Sequence, residues 1–543
     1  MSNYQNMYAN TDFLVRKIAG KKVKSGLLFK HATKKLVLLA ALSSLSVLGG
    51  TQVNAEDTGR VLTDRIIVND DNQVVTGVYE NRKWNGGSEW WNEWNVVGGV
   101  VRNNSQGLKI ENATFDNNAV YTYGADWMSA LGGAVGNAEG AVISEIKDSV
   151  FKNNLAMPFE PGVTPDGTNL SAHGGAIYNG GTIGVIDNVT FSNNSVAQGS
   201  YTKNGNTVKA GTVSGSAIYN SEVGTIGKIV NSTFENHSGD VIFNYGSSIG
   251  NIENTTFKNS NVTHLISNQV NWGNVDARGQ IGDIKDSTFE NISGTIFSNF
   301  GGDIGYIQNS TFTNHTGGTL FENQTNPSTG ARATLKGIIN STFDGGNQYF
   351  FNYQGDIGDI VGSTFKNSTS RIFQGHNATF GDVTDSTFSN IKGSVFDLYM
   401  NGSKLTTRSR MGDVSNSTFD TITGTVFHLE SSDMGDISDS TFTHISDNVF
   451  FLHGGGVGDI TNSVFDSNSK SVIFVSDADS LSKTMGGIYN SKFTNNAQAS
   501  YSSAVIYSSS MGIKEIIDSE FSNNGSNAIW MMGNSYTDLE NGG

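Results

Sequence analysis

Gly435-Asp436-Ile437-Ser438-Asp439-Ser440-Thr441-Phe442-Thr443-His444 is the stretch whose reading decides how this chain folds. Strings close to G-D-I-x-[DN]-S-T-F-x-N recur fifteen times, with phenylalanines at Phe115, Phe151, Phe191, Phe234, Phe257, Phe289, Phe312, Phe343, Phe365, Phe388, Phe419, Phe442, Phe465, Phe493 and Phe521. The commonest spacing is 23 residues, as from Phe419 to Phe442 and on to Phe465. Longer gaps, such as the 36, 40 and 43 residues separating the first four copies, read as the same unit with one loop inserted. Other columns keep register with the phenylalanine. Isoleucine stands eight and five residues before it, as in Ile226/Ile229 and Ile357/Ile360, and Asp or Asn stands three before it in fourteen of the fifteen copies, Gly362 being the exception. A second aromatic follows eight or nine residues later, at Phe243, Phe297, Phe321, Phe351, Phe373, Phe396, Phe427, Phe450 and Phe474.

Short apolar runs separated by Gly, Asn and Ser read as strands and turns. The 66 glycines, the four prolines and the recurring Ile, Val, Thr and Phe agree with strands rather than helices. A leucine-rich repeat would need a leucine framework, and a propeller blade about 40 residues. Three short strands closing one coil fit 23 residues. The predicted fold is all-β: a right-handed parallel β-helix of about 15 or more coils, in which like residues stack on like at ~4.8 Å. Open ends of such a rod invite aggregation. Residues 56–100 interrupt the repeat and hold Trp84, Trp90, Trp91 and Trp94, so they are expected as an N-terminal cap, with an aromatic sugar platform as the alternative. Residues 101–543 form the solenoid. The repeat is still running at Phe521 and Trp530, and no terminal cap or C-terminal barrel of alternating strands is expected after it.

The N-terminus speaks for export. Arg16, Lys17, Lys21, Lys22, Lys24, Lys30, Lys34 and Lys35 precede an apolar run from Leu36 to Leu48, then Val53-Asn54-Ala55. This order is that of a secretory signal peptide over residues 1–55, cleaved after Ala55; the run is too short for a bilayer, which takes about 20 residues. Beyond it stand 26 basic against 49 acidic residues. So acidic a chain repels nucleic acid and anionic lipid. There is no cysteine. Either a long solenoid buries enough core without disulfides, or the chain crosses a second membrane unfolded.

Candidate chemistry is sparse. Asp359, Asp382, Asp413, Asp436 and Asp459 stand six residues before successive phenylalanines, with Asp283 earlier. Stacked carboxylates ~5 Å apart repel, which a Ca²⁺ ion would relieve; a solvated turn edge is the simpler reading. The histidines His173, His237, His264, His315, His376, His428, His444 and His453 form no metal motif and read as surface substitutions. Arg278, Arg332, Arg371, Arg408 and Arg410 are scattered, so no catalytic cluster, cofactor site or metal site is designated, and the chain is not expected to be an enzyme. Arg408 and Asp413 are the pair to mutate if it is one. A threonine column before the phenylalanines would suit ice, but reads better as ordinary Thr–Thr strand pairs. The longest inserts, 155–175 and 195–217, are expected as binding loops.

Gly174-Gly175-Ala176-Ile177 and Gly132-Gly133-Ala134-Val135, with Phe115-Asp116-Asn117-Asn118 and its F-x-x-N counterparts ending at Asn154, Asn194, Asn468, Asn496 and Asn524, resemble the repeats of chlamydial polymorphic outer membrane proteins. More broadly, the chain resembles a Gram-negative autotransporter passenger over residues 100–530. Between Phe234 and Phe442 the pattern shrinks to F-x-N or F-x-x. The resemblance implies a cell-surface, outer-membrane or secreted adhesin that contacts a host protein or glycan, attached to the outer membrane through a barrel absent from this chain. It supplies no catalytic residues. The alternative reading is a β-helical polysaccharide lyase or hydrolase.

Overall fold

The computed structural model describes residues 52–54 and 65–532, apart from 88–94, 124–127, 160–169, 204–205, 210, 273, 275, 401–407, 477–484 and 497–503. Among the described residues there is no α-helix, and the strands pair in parallel from coil to coil as a right-handed parallel β-helix. The expected signal peptide lies outside the described residues except for Gln52–Asn54, which pair in parallel with Val74–Thr76.

One coil shows how the sequence makes the shape. Asp356–Val361 runs along one face, Thr364–Ser368 along the next and Phe373–His376 along the third. In the following coil Ile357 lies over Phe380, Phe365 over Phe388 and Phe373 over Phe396. Strand alternation turns the isoleucines and phenylalanines inward. The result is a stack of sixteen rings from Tyr79 to Phe521, with centroids 4.4–5.2 Å apart and planes within 2–14° of parallel. Tyr79 belongs to residues 56–100, expected as a cap. Within them the strand Val74–Glu80 pairs in register with Leu108–Asp116. A register shift between Val75 and Gly77 and a tyrosine in place of phenylalanine hide it from the pattern.

The Asp/Asn column is a backbone requirement. All fifteen residues three before the phenylalanine have φ between 46° and 60°, Gly362 included at 60°. Asn, Asp and Gly enter this left-handed region most readily, so the single exception obeys the same rule. A second left-handed corner follows two residues after the phenylalanine, at Asn390, Thr421, His444 and their counterparts. Gly362→Asn should therefore leave thermal stability within about 0.5 kcal/mol, whereas Gly362→Val should cost about 1–2 kcal/mol. Equal melting points for the two variants would rule out the conformational account.

Between the corners, polar side chains take up backbone groups. Ser440 N–H donates to Ser463 Oγ at 3.2 Å, while Ser440 Oγ donates to the carbonyl of Ser438 at 2.7 Å. Asn103, Asn137, Asn179, Asn220, Asn244, Asn268, Asn299, Asn323 and Asn352 form a buried ladder, each Nδ2 2.7–3.1 Å from the next Oδ1. Beyond Asn352 the column continues as Gly375, Leu398, Leu429 and Leu452. The F-x-x-N column behaves similarly: its asparagines are buried amides near both ends, and the shrunken middle has Ile391, Ile422 and Ile445 buried in their place. Amide ladders and aliphatic stacks are two ways of filling one interior position without an unpaired donor.

Candidate functional site

The third strand of each coil sends alternate side chains outward, and there the chemistry gathers. Phe321, Phe350, Phe373, Phe396, Phe427 and Phe450 point inward and are fully buried. Outward stand two columns in register. One runs Glu322, Phe351, Gln374, Asp397, His428, Phe451, Phe474; the other runs Gln324, Tyr353, His376, Tyr399, Glu430. The second aromatic read from the sequence thus mixes two populations. Phe297, Phe373 and Phe396 are core, while Phe351 and Phe474 are half-buried on the outer face. Spacings of eight or nine residues straddle the strand's parity, which only the observed register resolves.

At the centre of this ribbon lies Asp397, whose side chain is only 4% exposed. Arg371 Nη1 lies 2.9 Å from Asp397 Oδ2. Oδ1 is buried and accepts no hydrogen bond; His428 Nδ1 is 3.6 Å away, beyond bonding distance. Tyr399 bonds Arg371 and places its hydroxyl 3.4 Å from His428 Nδ1. Tyr349 donates its hydroxyl proton to Gln374 Oε1, and Gln374 Nε2 lies 3.1 Å from His376 Nε2. The rings of His376 and Tyr399 stack at 5.2 Å, and His428 meets Phe451 edge-on at 5.0 Å. Burial pushes the Tyr349 phenol up to about 12 and, with Asp397 adding to it, raises that of Tyr399. Burial and then Arg371 lower the pKa of His376. Near neutral pH the ribbon therefore presents protonated phenols, a neutral His376 and an amide around one half-buried ion pair.

The other sequence candidates separate. Each carboxylate of the Asp column takes the next coil's backbone N–H: Asp359 from Asp382, Asp382 from Asp413, Asp413 from Asp436 and Asp436 from Asp459, at 2.7–3.0 Å, and Asp459 from Gly487 at 2.7 Å. A Cβ on Gly435 would lie 2.0 Å from Asp413 Oδ1, which is why Gly and Asp travel together in the repeat. Among the described residues no three His, Asp or Glu side chains gather to hold a metal ion. Arg408 pairs with Asp433 at 3.5 Å, so it and Asp413 serve separate partners. Arg278 and Arg332 pair with Asp303 and Asp356, each at 2.6 Å. Of the histidines expected at the surface, His237 and His315 are buried, each 2% exposed, in the F-x-x-N column. His264 and His444 meet Asp240 and Asp420, each at 2.8 Å. His173 lies against Tyr219 at 4.4 Å; His453 bonds Ser476 Oγ at 2.8 Å.

The inserts expected as loops contain ordered strands. Leu155–Met157 joins a parallel sheet with Lys83–Gly87, Ala119–Tyr123 and Ser195–Val196, and Ser171–His173 joins another with Asn95–Val97, Ser129–Leu131 and Val213–Ser214. Val120, Ala130, Ala156 and Ala172 form their core, with Trp84 packed against it. Ser200–Lys203 and Asn206–Lys209 make an antiparallel hairpin. Deleting residues 155–175 would thus open a core rather than trim a loop. Trp84 is half-buried beneath Arg65, whose guanidinium lies 4.7 Å over the ring; Trp90, Trp91 and Trp94 lie outside the described residues. In the threonine column, Thr364, Thr387, Thr418 and Thr441 are in register, but the adjacent outward column carries Lys366, Ser389, Asp420 and Thr443, a mixed and charged surface.

No family model and no curated protein matches the sequence. Among solved structures the chain is similar to a PL6 family alginate lyase, at 10% identity over 86% of each chain with a TM-score of 0.17.

Proposed function

We propose that this chain is an exported, surface-displayed passenger of adhesin type that binds a glycan along its outward ribbon. The observation that supports the reading is the pairing of two registered columns between Glu322 and Phe474, where aromatic rings alternate with hydroxyl, amide, imidazole and carboxylate groups. Sugars ask for this combination: C–H faces pack on aromatic rings, and hydroxyls exchange hydrogen bonds with fixed polar groups. Stacked coils repeat the surface at ~4.8 Å, which suits a polymer better than a compact ligand.

In affinity electrophoresis through gels containing polysaccharides, the full chain should be retarded. The double variant Phe351→Ala/Phe451→Ala should lose about tenfold or more in affinity, since anchoring aromatics carry about 2 kcal/mol or more at binding surfaces. Equal retardation of wild type and variant would remove the ribbon from the reading.

A further inference from the structure

We infer that Trp272 is a sugar-stacking platform that extends the ribbon at its N-terminal end and takes the ring of a neutral hexose. This rests on the glycan-binding reading and names a contact residue and the ligand class. The third strand of one coil ends at Gln269 and the next coil begins at Gln280, whereas only two residues separate Phe300 from Asp303 at the corresponding corner one coil on. The chain between Gln269 and Gln280 is therefore an insert. Inserts recur at the same corner between Gln324 and Thr334 and between Tyr399 and Arg410. They follow the ribbon's second column, which Phe300 joins by pairing with Gln324. Loops inserted on a rigid scaffold are where binding residues concentrate.

Trp272 is 52% exposed, yet it is held in place. Its indole stacks on Phe300 at 5.6 Å with the planes 29° apart. Its backbone N–H donates to the Tyr245 hydroxyl at 3.0 Å, and that hydroxyl donates to Asn271 Oδ1 at 3.3 Å. Asn271 Nδ2 donates in turn to Glu222 Oε2, and the Asn271 N–H to the Ala277 carbonyl at 2.9 Å. A ring fixed in this way loses little freedom when a ligand covers it, and its open face suits the C–H face of a sugar. Around it stand acceptors: Glu222 and Asp276 are exposed carboxylates and Asn274 an exposed amide, groups that take protons from sugar hydroxyls. Arg278, the cation of the insert, is already paired with Asp303 at 2.6 Å. A uronate would meet carboxylates and a neutralised guanidinium, so a neutral hexose is the better match. Phe351 stands two coils beyond Phe300, ~10 Å along the rod at ~4.8 Å per coil, so one polymer can reach both rings.

The full chain is titrated with soluble neutral polysaccharides (a dextran, a galactomannan and a β-glucan) and with a uronate polymer, following affinity and tryptophan emission, beside Trp272→Ala and Trp272→Phe. Wild type should bind at least one neutral polymer with a change in emission, and bind the uronate more weakly. Trp272→Ala should lose about tenfold or more in affinity, as anchoring aromatics do. Trp272→Phe keeps a ring, so it should retain most of the affinity while losing most of the emission change. That variant carries the test alone should Trp272→Ala fail to fold by circular dichroism. Undiminished neutral-glycan binding by Trp272→Ala overturns the platform and leaves the ribbon standing, provided Phe351→Ala/Phe451→Ala still weakens it. Equal losses in Trp272→Ala and Trp272→Phe would trace the effect to the order of the insert and overturn the platform too. Preference for the uronate overturns the ligand class. Concentration-dependent association in sedimentation, abolished by Trp272→Ala, would assign the ring to a second copy of the chain instead. Absence of any glycan binding removes both readings together.

Discussion

Phe388→Ala should destabilise the rod by about 3–5 kcal/mol, the usual cost of emptying a buried phenylalanine site. Phe388 is fully buried, 4.9 Å from the ring of Phe365 and 4.8 Å from that of Phe419, with the ring of Phe396 at 5.9 Å. Collapse cannot close the gap. The strands on either side are pinned by register pairs Phe365↔Phe388 and Phe388↔Phe419, and the neighbouring coils already have their own rings in place. A solenoid holds each coil through its two neighbours, so loss at one interface should also uncouple the halves of the rod. Urea unfolding followed by circular dichroism should show an earlier and broader transition. Phe521 provides the internal control, being half-buried and stacked on Phe493 at 4.6 Å at the far end of the column. Phe521→Ala should cost distinctly less. Equal costs at the two sites would mean that stacking between coils contributes little.

The same column explains what could be read from the sequence and what could not. Phe442 and its counterparts repeat at a coil's length, and the Asp or Asn three before them answers a local backbone demand, so both appear as periodicity. Such signals need only the chain's own neighbours along the sequence. The ribbon site needs more. Arg371 and Asp397 are brought together by the stacking of one coil on the next, and the outward direction of Asp397 depends on the parity of a four-residue strand. Whether Phe350 or Phe351 faces the core is likewise a matter of register, and two adjacent phenylalanines give a periodic search nothing to choose between. The Asp column was legible as a column, but its purpose was not: each carboxylate bonds a backbone N–H one coil away, which no side-chain pattern displays. The F-x-x-N column hides its histidines for a related reason. His237 and His315 fill an interior position elsewhere occupied by Asn, Ser or Ile, and polarity alone suggested the surface.

His237 should make the rod acid-sensitive well above the pH at which its carboxylates protonate. Burial pushes its pKa from the ordinary 6.5 down to about 4, against the carbonyls of Asn194 and Phe191, which favour the charged ring. Because the folded form holds the imidazole neutral and the unfolded chain protonates it at about 6.5, unfolding takes up a proton below that pH. Its stabilising contribution is therefore complete above about pH 6.5, declines as pH falls toward about 4, and declines no further below. The full swing is about 3 kcal/mol. The carboxylates of Asp283, Asp344, Asp420 and Asp466, held below their usual range, lose their stabilising effect at lower pH and so leave this window to the buried histidines, His237 and His173, the latter also lowered by burial to about 4. His237→Asn separates the two. Asn194 Nδ2 donates to the carbonyl of Phe151 at 2.8 Å, and an asparagine at 237 would reach the carbonyl of Phe191 in the same manner, continuing the ladder from Asn118, Asn154 and Asn194 without a titrating group. Urea midpoints measured across this range should fall steeply for wild type and distinctly less for His237→Asn, whose remaining slope is that of His173, with the two proteins alike near neutrality. Rising wild-type stability on acidification would mean that the two carbonyls outweigh burial and that the buried ring is charged.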